Sequence, residues 1–151
     1  MDGLQNLSLK QSSSILPVNV FSRAAIAADL SWVPDMAALE GPPVTAESFV
    51  QAYLADPSTW HWSTDMLNDP REIVLRRVLA IIAQARLPDH QLALGQLGAG
   101  PLEDLMSDAL LDDLRAWMPF TAEMRYALGN VRMNVEPPAL QHRLKAMLLY
   151  R

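Results

Sequence analysis

The sequence contains no cysteine. This absence excludes a disulfide framework, a thiolate zinc site and a cysteine nucleophile, and it favours a reducing, intracellular compartment. Long hydrophobic runs are also missing, since no stretch approaches the roughly 18–20 apolar residues that a transmembrane helix needs. The chain opens on the acidic Met-Asp-Gly, and its apolar stretch at residues 24–28 is short for a signal peptide. We therefore expect a cytoplasmic protein.

Basic residues are too few for a nucleic-acid binder. The 151 residues hold 12 Lys and Arg against 17 Asp and Glu, a net charge of −5. Because neutralising phosphates requires a face rich in Lys and Arg, we expect no nucleic-acid partner, and adhesion to anionic membranes is disfavoured for the same reason. An acidic protein can, however, attract a basic protein and speed its arrival.

Signatures of catalysis and metal binding are missing as well. His61, His90 and His142 form neither a His-x3-His pair nor a His-Glu-x-x-His motif. There is no Gly-x-Ser-x-Gly elbow and no phosphate-binding Gly-Lys-Ser/Thr. We therefore predict no metal, no cofactor and no enzymatic activity. The enzymatic alternative uses Glu103 as an acid or base with His61 or His142.

What the sequence does contain is a dense series of helix boundaries. Half of the residues are hydrophobic and 19% are charged, as in globular domains. Thr45, Ser107 and Thr121 are suitable N-caps, and the proline pair at 137–138 can begin the last helix. The pattern predicts an all-α fold, a single compact domain of about seven helices.

The first part of the chain follows a different pattern. Residues 1–33 read as an irregular N-terminal arm with a short helix at 22–30, and Trp32 is expected to anchor this arm on the body. Residues 34–151 then form the helical domain. A chain of this length can bury a core as one domain.

The clearest helix start is Asp69-Pro70-Arg71-Glu72. Asp69 is the expected N-cap, Pro70 the first helical residue, and Glu72 can reach back to the cap. The apolar residues that follow recur every three or four positions and form a stripe along the helix. Further apolar residues widen this stripe, which predicts a central helix covered on more than one side. They are Ile73, Val74, Leu75, Val78, Leu79, Ile81, Ile82 and Ala85.

Two glycines are interpreted as helix punctuation. Gly98 is expected to end, in the left-handed conformation, a helix that Asp89 caps and that buries Leu92, Leu94 and Leu97. Gly100 then caps the next helix, which has proline at its first position and Glu103 beside its positive end.

The same string carries a resemblance to a known family. Gly-Ala-Gly-Pro-Leu-Glu-Asp-Leu at 98–105, with Arg-Tyr-Ala-Leu-Gly-Asn-Val at 125–131, resembles an uncharacterised bacterial domain family. The hallmark of that family is Gly-Pro-Leu-Glu-Asp-Leu-Leu followed by a Phe-Arg-x-Ala-Leu segment. The resemblance covers residues 70–133, with Met106 at the usual second leucine and Tyr126 after the arginine rather than an aromatic before it. Domains of this sort often look like immunity proteins of contact-dependent toxin systems, so the resemblance implies such a role.

Acidic residues are concentrated just after this string. Between Pro101 and Asp113 there are five acids and no basic residue. Asp112 can pair with Arg115 on its own helix. The stretch forms either a solvated face or a docking surface for a basic protein, such as a nuclease toxin. The five acids are Glu103, Asp104, Asp108, Asp112 and Asp113.

Two tryptophans stand close together in Trp60-His61-Trp62. On a helix, residues two apart point about 200° from each other, so one tryptophan would be poorly buried. Both are either core residues or, where exposed, anchors for a partner.

These observations predict a non-enzymatic domain that binds another protein. The specific hypothesis is an immunity protein that covers the active site of a cognate bacterial toxin, as a monomer or homodimer. The acids between 103 and 113, with Trp60 and Trp62, are the predicted contact residues. One alternative is a structural or regulatory module that forms homo-oligomers through residues 147–149; the other is the small enzyme using Glu103.

Overall fold

The computed structural model describes residues 19–33, 46–59 and 69–151. These ranges contain helices and connecting turns but no strand, so the predicted all-α fold is confirmed. No helix within them is long and apolar enough to cross a membrane. The helices are α1 Arg23–Ala28, α2 Ala46–Ala55, α3 Arg71–Gln84, α4 Gln91–Leu97, α5 Asp108–Leu114, α6 Ala122–Gly129 and α7 Pro138–Leu149.

Several predicted helix starts are confirmed. Ser107 caps α5 by accepting a hydrogen bond from the Leu110 amide at 3.1 Å, and Thr121 caps α6 by accepting one from Met124 at 3.2 Å. Helix α7 begins at Pro138, as the proline pair predicts. Each of these starts is set by residues within one turn of the boundary. Thr45 lies outside the described residues.

Helix α3 is the central element. It packs against α1, α2, α6 and the segment that follows α4. Its predicted coverage on more than one side is confirmed, because buried residues occur all around the helix: Val74, Leu75, Arg77, Val78, Leu79, Ala80, Ile81 and Ile82.

The prediction that Asp69 caps α3 is wrong. Pro70 occupies the cap position without a side-chain bond, and the Asp69 carboxylate instead forms an ion pair with Arg77. Arg77 is only 4% exposed, and its Nε donates a hydrogen bond of 2.7 Å to the carbonyl of Trp32. A buried guanidinium requires a counter-charge and acceptors, and this requirement outweighs the cap.

Tryptophans hold residues 19–33 on the other helices of the described chain. The Trp32 ring is buried, and its centroid lies 6.4 Å from that of Phe49 on α2. The Trp117 indole donates to the carbonyl of Phe21 at 2.7 Å, across 96 residues of sequence. Residues 19–33 are therefore held by backbone carbonyls that accept bonds from buried side chains. Residues 1–18 lie outside the described ranges.

Gly98 does not end a helix in the left-handed conformation, contrary to prediction. Its φ and ψ are −68° and −50°, and helix α4 continues through it into a π-helical segment, Gly98–Leu102. A Cβ at position 98 would lie 1.9 Å from the Ala127 carbonyl oxygen and 2.9 Å from Cβ of Asn130. Glycine is therefore required because α4 and α6 approach backbone to backbone. Gly100 is not a cap either, since it lies inside the π-helical segment.

The predictions for Asp89 and Leu92 are also wrong. His90 takes the cap position of α4 without a side-chain cap bond, and its Nδ1 accepts a hydrogen bond from the Arg86 amide at 2.8 Å. Leu92 is 61% exposed. The fully buried Leu94 defines the inner face of α4, and a residue two positions away points about 200° from it.

Substituting the two glycines of α4 tests the close contact. We expect Gly98→Ala to lower the free energy of unfolding by at least about 2 kcal/mol, because the methyl group collides with backbone. Gly95→Ala is the matched control: the nearest atom to its Cβ is 3.9 Å away, so it gains up to about 1 kcal/mol of helix propensity. Urea unfolding measures the free energy of unfolding of both variants. Equal changes in the two variants would contradict the close contact at Gly98.

Arg77 offers a second test of the fold. We expect Arg77→Met to cost about 2–4 kcal/mol, because it leaves the Trp32 carbonyl without its donor and Asp69 without its cation. Asp69→Asn is expected to cost less, since the Asp69 side chain is 36% exposed and water can replace part of the interaction. Chemical denaturation measures the free energy of unfolding of both variants. A larger loss of stability in Asp69→Asn than in Arg77→Met would refute the prediction.

Candidate functional site

Helices α4 and α6 pack directly against each other. Tyr126 accepts a hydrogen bond from Gln91 at 2.9 Å near the start of α4, and Glu103 contacts Arg132 beyond the ends of both helices. The Gly98 crossing lies between these two points. This helix pair positions two features that are described below: a groove on its outer side, and the acidic stretch that follows α4 in the sequence.

Glu103 is fully engaged with Arg132. The arginine Nη2 donates to Oε1 at 2.8 Å, its Nε lies within 3.1 Å of both carboxylate oxygens, and its backbone amide donates to Oε2 at 3.0 Å. These hydrogen bonds hold the pKa of Glu103 below its ordinary value and raise that of Arg132. Within the described part of the chain, every hydrogen bond to this carboxylate comes from Arg132.

The residues of the enzymatic alternative are not brought together. His142 is exposed on α7, and the Glu103 carboxylate is directed to Arg132 instead. His61 lies outside the described residues. Among the residues that the structure describes, no group of three or more histidine, aspartate or glutamate side chains could hold a metal ion.

Arg143 on α7 binds two aspartates of α5. It donates to the Asp108 carboxylate at 2.8 Å and to the Asp108 carbonyl at 3.1 Å, and it also forms an ion pair with Asp112. Asp112 thus bonds to Arg143 rather than to Arg115, whose charge acts on it more weakly. The bond from Arg143 lowers the pKa of Asp112, and the two aspartates raise the pKa of Arg143.

The five predicted acids therefore fall into two groups. Glu103 and Asp113 are largely covered and tied to one arginine each; Asp113 pairs with Arg71 at 2.9 Å. Asp104, Asp108 and Asp112 are exposed, and the last two share a single guanidinium. We call these three residues the acidic face. Its three carboxylates outnumber the two cations that act on them, Arg143 and, more weakly, Arg115.

Trp60 and Trp62 lie outside the described residues. The chain leading to them, however, passes beside α4, since Gln96 donates a hydrogen bond to the Ser58 hydroxyl at 3.2 Å. Thr59 is the last described residue before the tryptophans. Their predicted role as partner anchors stays a prediction.

An uncharged groove on the outside of α4 and α6 was missed by the sequence reasoning. It has a volume of about 580 Å³. No charged residue occurs between Gln91 and Leu102, although 19% of the chain is charged, and this is the sequence feature that could have revealed the groove. We call it the α4 groove; its lining is Gln91, Leu92, Gly95, Gln96, Ala99 and Tyr126.

A second groove follows α7. Its volume is about 370 Å³, with Leu128, Met133 and Leu148 in its apolar wall and Lys145 beside them. Of the predicted oligomerisation patch at 147–149, Met147 is buried and Leu149 is 67% exposed. The exposed apolar surface at this end of the chain is thus a single leucine and the neighbouring tyrosine rather than a continuous patch.

The Glu103–Arg132 pair predicts a pH dependence. The pKa of Glu103 lies below its ordinary value of 4.5, so the pair stabilises the fold above that pH, and the contribution is lost as pH falls through the folded-state pKa. Glu103→Gln should therefore be less stable than the wild type near neutral pH, and this difference should narrow in acid. Urea unfolding at both pH values measures it. Asp104→Asn is the control variant, and its stability should equal that of the wild type. If Glu103→Gln were as much less stable than the wild type in acid as at neutral pH, the prediction would be contradicted.

Comparisons with known proteins identify no relative of this chain. No family model, no curated protein and no solved structure matches it. The resemblance of residues 70–133 to the bacterial domain family therefore stays a prediction, and the functional argument depends on the residues themselves.

Proposed function

We propose that this chain is a non-enzymatic protein-binding domain that acts as an immunity protein, covering the active site of a basic toxin. The observation that carries the proposal is the acidic face, where two exposed aspartates share the one guanidinium of Arg143. The partner is a protein domain with a basic active-site groove, such as that of a nuclease.

The acidic face is preorganised for binding. The side chains of Asp108 and Asp112 are 75% and 61% exposed, yet Arg143 holds both in place from α7. Because these side chains are already ordered, binding costs less conformational entropy than it would with free carboxylates. An arginine or lysine of the partner can add a further positive charge beside these exposed carboxylates.

Charge complementarity suits an inhibitor of a nuclease. A nucleic-acid groove is lined with Lys and Arg to neutralise phosphates, so a row of fixed carboxylates can occupy the same positions. Asp108 and Asp112 lie one helical turn apart, about 6 Å along the axis. Attraction between opposite charges accelerates encounter and selects the partner.

The tryptophans add an apolar component to this proposal. In the sequence, Trp60 and Trp62 come two and four residues after Ser58, whose hydroxyl is bonded to Gln96 of α4. Tryptophan is enriched among residues that dominate interface energetics. In this proposal the acids set the rate of association and partner choice, and the tryptophans contribute affinity.

The enzymatic alternative receives less support. An acid or base catalyst needs a carboxylate that can exchange protons near the working pH. The pKa of Glu103 is lowered, and both of its oxygens accept hydrogen bonds from Arg132.

Neutralising the acidic face tests the proposal. The partner is first isolated by co-purification with the wild-type chain, and the triple variant Asp104→Asn, Asp108→Asn, Asp112→Asn is then compared in binding kinetics. We expect association to slow by about tenfold or more at low salt, because three charges that steer a basic partner are gone. We also expect the wild-type chain to inhibit the activity of the partner at a one-to-one ratio.

The matched control removes three exposed charges elsewhere: Glu47→Gln, Glu72→Gln and Asp89→Asn. Net charge changes equally in both triple variants, so a difference between them reports position rather than total charge. Equal association rates, or a partner that is itself acidic, would overturn the proposal.

A further inference from the structure

The α4 groove contains a glycine that internal packing does not explain. At Gly98 an added Cβ would collide with the Ala127 carbonyl, whereas at Gly95 the nearest atom would be Oδ1 of Asn130 at 3.9 Å. A glycine inside a helix costs about 0.5–1 kcal/mol relative to alanine. No contact within the described residues requires Gly95, and this residue lines the α4 groove.

A large apolar side chain stands next to this glycine. Leu92 is 61% exposed, and it precedes Gly95 by three residues and Ala99 by seven, so all three lie along one face of the helix. The face thus presents a protruding leucine and, farther along, a trough of small residues. Tyr126 of α6 forms part of the wall.

This arrangement is self-complementary. If two copies of α4 pair antiparallel about a two-fold axis between residues 95 and 96, Leu92 of each copy lies opposite Ala99 of the other. Gly95 then lies opposite Gln96, where the absence of a side chain lets the two helices come close. A two-fold interface requires that one surface carry both the protrusion and its recess, and this face does.

The charge distribution favours a second copy over a different protein. A two-fold contact apposes the same surface patch of both copies, so a patch that carries charge of one sign would repel itself. The chain carries a net charge of −5, but residues 91–102 carry none. Two acidic molecules can therefore meet on this surface without apposing like charges, whereas a basic partner would find no charge there to recognise.

We infer that the α4 groove is a homodimer interface, in which Leu92 of each copy packs against Gly95 and Ala99 of the other. Two helical turns bury less than a standard interface, so we expect a weak dimer whose population depends on protein concentration. The acidic face is made of other residues, and its role in binding a different protein does not depend on this contact.

Sedimentation equilibrium of the full chain, from about 1 µM to 1 mM, tests the inference. We expect the mass to rise from 16.8 kDa towards twice that value with concentration. Leu92→Asp should weaken dimerisation at least tenfold, because each new carboxylate would be buried against the small residues of the other copy without a partner. Leu149→Asp is the matched control, since this leucine is equally exposed on α7, and it should leave the equilibrium unchanged.

Cross-linking gives an independent readout of the face. The chain has no cysteine, so Gln96→Cys introduces a single thiol beside the expected two-fold axis, and Ala109→Cys places one on the surface of α5. A short bismaleimide should link the first variant into dimers and leave the second monomeric. Far-UV circular dichroism verifies that all variants are folded.

Three outcomes would overturn the inference. They are a wild-type chain that stays monomeric at every concentration, a Leu92→Asp variant that dimerises like the wild type, and cross-linking through residue 109 but not residue 96. Loss of binding to a different protein in Leu92→Asp, without any self-association of the wild type, would instead assign the groove to that partner.

Discussion

The structure depends on one backbone contact, the approach of Gly98 to the carbonyl of Ala127. A side chain at position 98 would come within 1.9 Å of that oxygen, so the spacing of α4 and α6 can exist only with glycine there. The π-helical segment from Gly98 to Leu102 carries the chain past this crossing with Pro101 and Leu102 buried. A normal helix–helix distance is about 8–10 Å, and residues larger than glycine would restore it at the cost of the core.

The same contact determines what lies on each side of the helix pair. Once Leu94 and Leu97 face the core, the remaining face of α4 must point outwards, which exposes Leu92 beside Gly95. Beyond the crossing, Glu103 meets Arg132, and the chain then turns into the acidic helix α5. An uncharged surface and a charged one thus follow each other along a single stretch of chain, and our two proposals, a second copy and a basic partner, concern these two surfaces.

The sequence predicts what is decided locally. The caps at Ser107 and Thr121 and the central position of α3 follow from residues within a few positions of each other, and these predictions are confirmed. The predictions for Asp69 and Gly98 are wrong because distant residues determine their roles. The buried guanidinium of Arg77 binds the Asp69 carboxylate, and α6 lies so close to Gly98 that no Cβ fits there. The acids were found as a group, but their arginine partners on other elements could not be read from spacing.

The most direct test of the account is the environment of Gly98 in solution. In an NMR spectrum of the labelled protein, the α-protons of Gly98 should show strong nuclear Overhauser contacts to the β-protons of Asn130, whose Cβ is adjacent, and to Ala127. The φ angle of Gly98 should be negative, as in a continuing helix. A positive φ at Gly98, with no contact to residues 127–130, would show that this glycine ends a helix and would contradict the packing on which both surfaces depend.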